Sequence, residues 1–151
     1  MGMRRKGREL AVQGLYQLEI RGEPIQALES FWKQADCGDR AKDFARGLAQ
    51  GAFEFAGEIN PLISEAAENW RIERLSPVDL CVLRVATYEL LRRRETPTSV
   101  VINEAIEIAR RFSTGESAKF VNGVLDQIAI RLGVKDNQGS TTVDDEEGDD
   151  E

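Results

Sequence analysis

Apolar residues recur along this chain every three or four positions, and no stretch sustains the apolar–polar alternation of a strand. Leu10, Ala11, Gly14, Leu15 and Leu18 share a face of a first helix running from about Arg4 to Ile20, ended by Gly22 and Pro24. A short second helix turns Ile25, Leu28 and Phe31 or Trp32 inward. A third, from about Arg40 to Glu58, repeats Phe44, Leu48, Ala52, Phe55 and Ile59. Its Gly47-x-x-x-Gly51 spacing lowers helix propensity, which predicts close passage of a neighbouring helix. Asn60-Pro61 reads as a cap followed by proline in a first turn, opening a fourth helix that aligns Ile63, Ala67 and Trp70. Ser76-Pro77-Val78-Asp79 opens a fifth in the same way. It runs to Arg92-Arg93-Arg94, where cations suit the negative end of a helix dipole. The sixth carries Val101, Ala105, Ile108 and Phe112. The seventh begins between Ser113 and Ser117 and stacks Val121, Val124 or Leu125, Ile128 and Leu132. Seven helices joined by short loops predict an all-α bundle, the first three forming one group and the rest another.

Composition narrows the chemistry. The 151 residues include no histidine, which removes the usual general base, the histidine-dependent triads and the histidine zinc sites. Cys37 and Cys81 are too few for a structural zinc site; sequence leaves a disulfide between them open, while two cysteines in a chain of this kind are more often reduced and structural. No metal, no cofactor and no catalytic residue is expected. The apolar runs are too short to span a bilayer, and the basic start lacks an apolar segment behind it, so the expectation is a soluble, cytoplasmic protein with no membrane partner.

The formal charge of −7 hides a division. Residues 136–151 hold eight of the 27 acidic residues and no basic one, leaving 19 acidic against 20 basic residues over 1–135, about +1. The predicted organisation is therefore a folded domain over 1–135 and an acidic tail over 136–151, too poor in apolar side chains to fold. Arg4, Arg5, Lys6 and Arg8 crowd the other end. A basic head, a near-neutral body and an acidic tail point toward a polyanion partner.

Two segments are candidates for meeting it. On the first helix, Arg5, Arg8, Val12, Tyr16 and Glu19 share a face, so arginines lead to a ring that a base or a protein could use. The arginines oppose the helix dipole and so need a reason beyond helix stability, fraying being the bland alternative. The second segment, Ser113 to Gly123, is a glycine-containing loop entering a helix, with Ser117, Lys119, Phe120 and Asn122 on it and free amides facing outward. A core role for Phe120 competes with a place at the rim. The carboxylates Glu73, Asp79, Glu89, Glu104 and Glu107 read as caps or as solvated or partner-facing charges. Arg84, inside an apolar helix, is expected to pair with one of them.

Arg8-Glu-Leu-Ala-Val-Gln-Gly-Leu-Tyr16, Trp70-Arg-Ile-Glu-Arg-Leu75, the run from Val78 to Leu90, Val101-Ile-Asn-Glu-Ala-Ile-Glu-Ile-Ala109 and Lys119-Phe-Val-Asn-Gly-Val-Leu-Asp126 follow in order. Over residues 4–132 the chain thereby resembles the NusB transcription antitermination factors. The resemblance implies a seven-helix fold of two helical subdomains and a non-enzymatic factor that joins NusE, a ribosomal small-subunit protein. The pair would bind a single-stranded boxA element in nascent RNA and act in the antitermination complex with RNA polymerase, notably on ribosomal RNA operons. It implies RNA contacts at Arg4, Arg5, Lys6, Arg8, Gln13, Tyr16, Ser117, Lys119, Phe120 and Asn122, and NusE contacts at Tyr16, Glu19, Glu73 and Asp79. A homodimer that hides the RNA face stands beside the monomer. The competing readings are a helical protein–protein adaptor and the accessory domain of certain RNA methyltransferases, which would need a catalytic domain.

The tail lies outside the family pattern, and its charge suits screening of the basic head from non-specific RNA. Deletion of residues 136–151 is expected to raise affinity for scrambled RNA in a filter-binding assay; unchanged affinity would contradict a screening role.

Overall fold

The computed structural model describes residues 2–67 and 75–134. Within them lie seven helices: α1 (Met3–Arg21), α2 (Leu28–Gln34), α3 (Asp39–Glu54), α4 (Ala56–Ala66), α5 (Pro77–Arg92), α6 (Thr98–Phe112) and α7 (Gly115–Leu132), with no strand among the described residues. Trp70, Glu73 and the acidic tail fall outside the described residues.

Helix α5 is the axis of the fold. Nearly every residue from Asp79 to Leu90 is buried, as expected of a helix that is apolar almost all round. It packs against α1, α3, α4, α6 and α7, so the two predicted groups of helices share one core. Trp32, Leu28, Leu48, Ile59, Ile63, Leu83, Leu125 and Ile128 are its largest fully enclosed apolar side chains. Gly22 ends α1 in the left-handed conformation (φ 65°), which an L side chain adopts only under strain, and its amide bonds back to Leu18 O at 2.7 Å.

One predicted boundary is wrong. Helix α3 stops at Glu54, Phe55 leaves the helical region (φ −99°, ψ 20°), and α4 is already under way at Ala56, so Pro61 sits inside a helix rather than at its start. Interior proline costs about 3 kcal/mol, whereas burying Ile59 and Ile63 returns about 1.5–3 kcal/mol each. Both isoleucines are completely enclosed while Pro61 is exposed, leaving the unbonded turn on the solvent side.

Cys37 and Cys81 are both free thiols. Burial pushes the Cys81 thiol up to about 12, which makes it a core residue rather than a nucleophile. Among the described residues no helix is long and apolar enough to cross a membrane.

The close passage predicted at Gly47 and Gly51 is present, and the two glycines differ. A Cβ on Gly51 would fall within the Tyr88 ring of α5, whereas one on Gly47 would meet only the end of the flexible Arg93 side chain, 2.9 Å away. Gly51→Ala is therefore expected to lower stability by about 1–3 kcal/mol despite alanine's helix preference. Gly47→Ala should be neutral or slightly stabilising. Urea unfolding midpoints check the pair, and equal effects would contradict the packing account.

Candidate nucleic-acid interface

The start of α1 carries cations at a helix N-terminus with no acidic residue in its first turn. Carboxylates from other helices answer them. Arg8 donates from Nε to Glu89 Oε2 at 2.7 Å and from Nη2 to Glu89 Oε1 at 2.9 Å, and both side chains are about 95% or more enclosed. Arg5 makes the same two-pronged contact with Glu104 of α6, at 2.8 and 2.7 Å, but remains 41% exposed. That hydrogen-bonded carboxylate holds the Arg5 pKa above its ordinary value. Glu9 accepts from Arg111 Nη1 at 2.9 Å, tying α1 to the end of α6. Adjacent residues of α1 thus face three ways: Arg8 inward to α5, Arg5 and Glu9 sideways to α6, and Arg4 toward α3, where its guanidinium lies 5.9 Å from the Phe44 ring centre.

At the entrance to α7, Thr114 caps the helix by accepting the Ser117 amide at 3.1 Å. The Ser117 hydroxyl donates to Asp79 Oδ2 at 2.8 Å. A hydroxyl has one proton, so the Ser113 Oγ, 2.8 Å away, donates to Ser117. This chain of hydroxyls fastens the start of α7 to the start of α5, where the Asp79 amide in turn donates to the Ser76 cap at 3.1 Å. It fixes the direction in which the next turn of α7 presents its side chains. Lys119 and Asn122 project into solvent, and Phe120 is half-buried at the core's edge.

The predicted residues therefore separate. Arg4, Gln13, Tyr16, Glu19, Lys119 and Asn122 are exposed; Arg5, Lys6 and Phe120 are intermediate. Others are not where the sequence puts them. The helical face that joins Arg5 to Tyr16 also contains Arg8, yet Arg8 and Val12 turn into the core, because Glu89 offers the guanidinium a matched partner there. Ser117 and Asp79 are buried against one another rather than presented to RNA and to a partner protein. Arg84 pairs with Glu19 (3.1 Å) and donates to Asn60 (3.2 Å), and with none of the carboxylates proposed for it that lie among the described residues.

The structure also adds residues. Arg111 lies 5.7 Å from the centre of the exposed Phe112 ring, giving a cation and an aromatic face directly before the α7 loop. The signal was the sequence Arg110-Arg111-Phe112 leading into the glycine loop, masked by reading Phe112 as core. Ile20, one turn beyond Tyr16, is likewise exposed and widens an apolar strip next to Glu19. Among the described residues no cluster of side chains is fit to hold a metal ion. The surface offers phosphate-seeking cations, aromatic edges and hydrogen-bonding groups.

The NusB family model matches residues 5–130. The chain is 46% identical over 134 residues to the transcription antitermination protein NusB of Geobacter sulfurreducens, covering 87% of this chain and 97% of that one. It is 44% identical over 137 residues to the protein of the same name from Myxococcus xanthus, covering 87% and 98%. Among solved structures, T. maritima NusB superposes with a TM-score of 0.76 at 45% identity, covering 84% of this chain and 90% of that one. A chain in the complex of the antitermination factors NusB and NusE with double-stranded RNA gives 0.73 at 26% identity, covering 85% and 97%.

The two arginines of α1 should behave differently on substitution. Arg8→Ala leaves Glu89 charged and enclosed, and is expected to lower stability by about 3–5 kcal/mol. Arg5→Ala, at a partly exposed pair, should cost about 1 kcal/mol or less. Thermal and urea unfolding of the two variants would contradict the assignment if Arg8→Ala were the milder.

Proposed function

The chain belongs to the NusB family of transcription antitermination proteins, which are not enzymes, and from that premise we propose how this member works. It pairs with NusE, binds boxA-like single-stranded RNA and modifies RNA polymerase in the cytoplasm, notably on ribosomal RNA operons. The observation that carries this reading is the start of α7. There Lys119 and Asn122 stand exposed on either side of the half-buried Phe120, a short loop after the α6 end that Arg111 ties to Glu9 of α1.

The division of labour follows from exposure. Arg4, Arg5, Lys6 and Lys119 meet phosphates; Gln13 and Asn122 have amide groups for base edges; Phe120 and Tyr16 supply rings. Arg8 and Ser117 act from below by holding α1 and α7 in place. The RNA is single-stranded in this reading because a ring at a helix edge can stack only on an unpaired base. A similar chain has been solved together with NusE and double-stranded RNA, which supports both partner classes and leaves the strandedness to experiment. NusE, a basic ribosomal protein, is placed against Tyr16, Ile20 and Glu19, with Glu73 as a further contact, and Asp79 shapes that edge from inside.

The test is binding of a short boxA-like strand and a scrambled control across a salt series, with and without NusE. NusE should tighten binding to the boxA-like strand selectively. Lys119→Ala should reduce the salt slope by about 0.7, the value for one phosphate contact on a single strand. Phe120→Ala should weaken binding by about 1–3 kcal/mol while leaving the slope alone. If NusE binds and neither substitution alters RNA affinity, the protein is an adaptor and the RNA surface is wrong.

A further inference from the structure

The arginines at the end of α5 are not needed for the site described so far. Three cations in succession exceed what one helix C-terminus can use, since the dipole there amounts to roughly half an elementary charge and neighbouring guanidiniums repel. Their settings are also unlike those of the other arginines. Arg5, Arg46, Arg84, Arg110, Arg111 and Arg131 each hold a carboxylate in an ion pair. Arg4, Arg92 and Arg93 pair with no carboxylate among the described residues and rest on rings instead. The Arg92 guanidinium lies 4.6 Å from the centre of Phe55. Arg93 lies 5.9 Å from Phe44 and 5.6 Å from Tyr88, in the notch left by Gly47. Arg4 reaches the same Phe44 ring from α1 at 5.9 Å. Arg94 follows, exposed. Arg21 and Arg40 are exposed too, but among the described residues have neither carboxylate nor ring.

Stacking on a ring restricts a guanidinium without neutralising it, and leaves its N–H groups free to take an anion. Arg4 and Arg93 converge on Phe44, which Arg8 also approaches at 5.5 Å while spoken for by Glu89, and with Arg92 held on Phe55 one residue away they make a preorganised anion site whose geometry suits phosphate oxygens. We propose that Arg92, Arg93 and Arg94, together with Arg4, bind the phosphodiester backbone of single-stranded RNA that flanks the specifically bound segment, without regard to its sequence. The inference rests on the RNA-binding reading above and extends its footprint. Arg4 and Arg5 are neighbours on α1 that face opposite sides, Arg4 toward α3 and Arg5 toward α6. A strand leaving the α6–α7 face over the start of α1 therefore reaches the α5 arginines next. Glu95 is the nearest carboxylate in sequence and pairs with none of them among the described residues.

The experiment compares a short boxA-like strand with the same strand extended by ten uridines, on the 5′ side and, separately, on the 3′ side. It uses the full chain and an Arg92→Gln/Arg94→Gln variant whose urea midpoint is measured alongside; Arg93 is left intact because it packs on Tyr88. For the wild type, one extension should tighten binding, with a gain that shrinks about sevenfold between 50 and 200 mM salt if two phosphates are engaged. The variant should lose that gain and bind the short strand within about twofold of wild type. No gain from either extension, a gain that survives in the variant, or equal weakening of short and long strands would each overturn the second site. A wild type that fails to bind the short strand at all overturns the RNA-binding reading, and this inference with it. Absence of the RNA gain, alongside arginine-dependent binding of polyglutamate, would assign the site to an acidic protein instead and overturn the proposal.

Discussion

The exposed groups on the proposed RNA-facing side of this molecule are referred to one buried ion pair. The contact of Arg8 with Glu89 sets both the height and the rotation of α1 against α5, because a two-pronged guanidinium–carboxylate pair tolerates little twist. Once α1 is set, the neighbours of Arg8 have no choice of direction. Gly7 lies on Phe44, Arg5 meets Glu104, Glu9 meets Arg111, and Gly14 lies against Trp32 and Leu28. Such a pair is a poor source of net stability compared with apolar side chains of the same size. Its value here is in register: one helix is oriented, and cations on either side of it are presented to solvent in fixed places.

The same economy of position recurs at α7. Ser117, Ser113 and Asp79 spend their hydrogen bonds inward, and the result is a helix start whose outward residues, Lys119 and Asn122, are placed by the groups beneath them. The proposed binding surface is thus a thin layer of exposed side chains over two polar locks, one ionic under α1 and one of hydroxyls under α7. Both locks close on α5, which explains how that helix is buried on nearly every side while still carrying Asp79 and Glu89.

Apolar periodicity made the seven helices legible, and the glycine pair in α3 correctly announced a close neighbour. Pro61 was misread because local capping signals say nothing of how much apolar surface a longer helix will bury; Ile59 and Ile63 decide that. Arg8 was misread for a different reason. A helical wheel gives angles but not partners, and Glu89, Glu104 and Arg111 lie 81, 99 and 102 residues from the α1 residues they meet. Glu19 and Arg84, 65 residues apart, were missed in the same way. At α7 the exposed residues were readable from the loop and its helix. The inward turn of Ser117 was not, because a serine near a helix start serves equally well as a cap, a ligand or a tether.

The account holds that RNA settles on a surface already formed, with Arg8 never leaving Glu89. The direct measurement is a nitrogen-edited NMR spectrum of the arginine side chains and backbone amides, recorded as a boxA-like strand is added to the complex with NusE. The account predicts that the Arg8 Nε–H stays slow to exchange and unmoved while the amides of Lys119 to Asn122 shift. Rapid exchange or a large displacement of the Arg8 signal on adding RNA would contradict it, showing that the buried pair opens and that Arg8 itself is spent on the ligand.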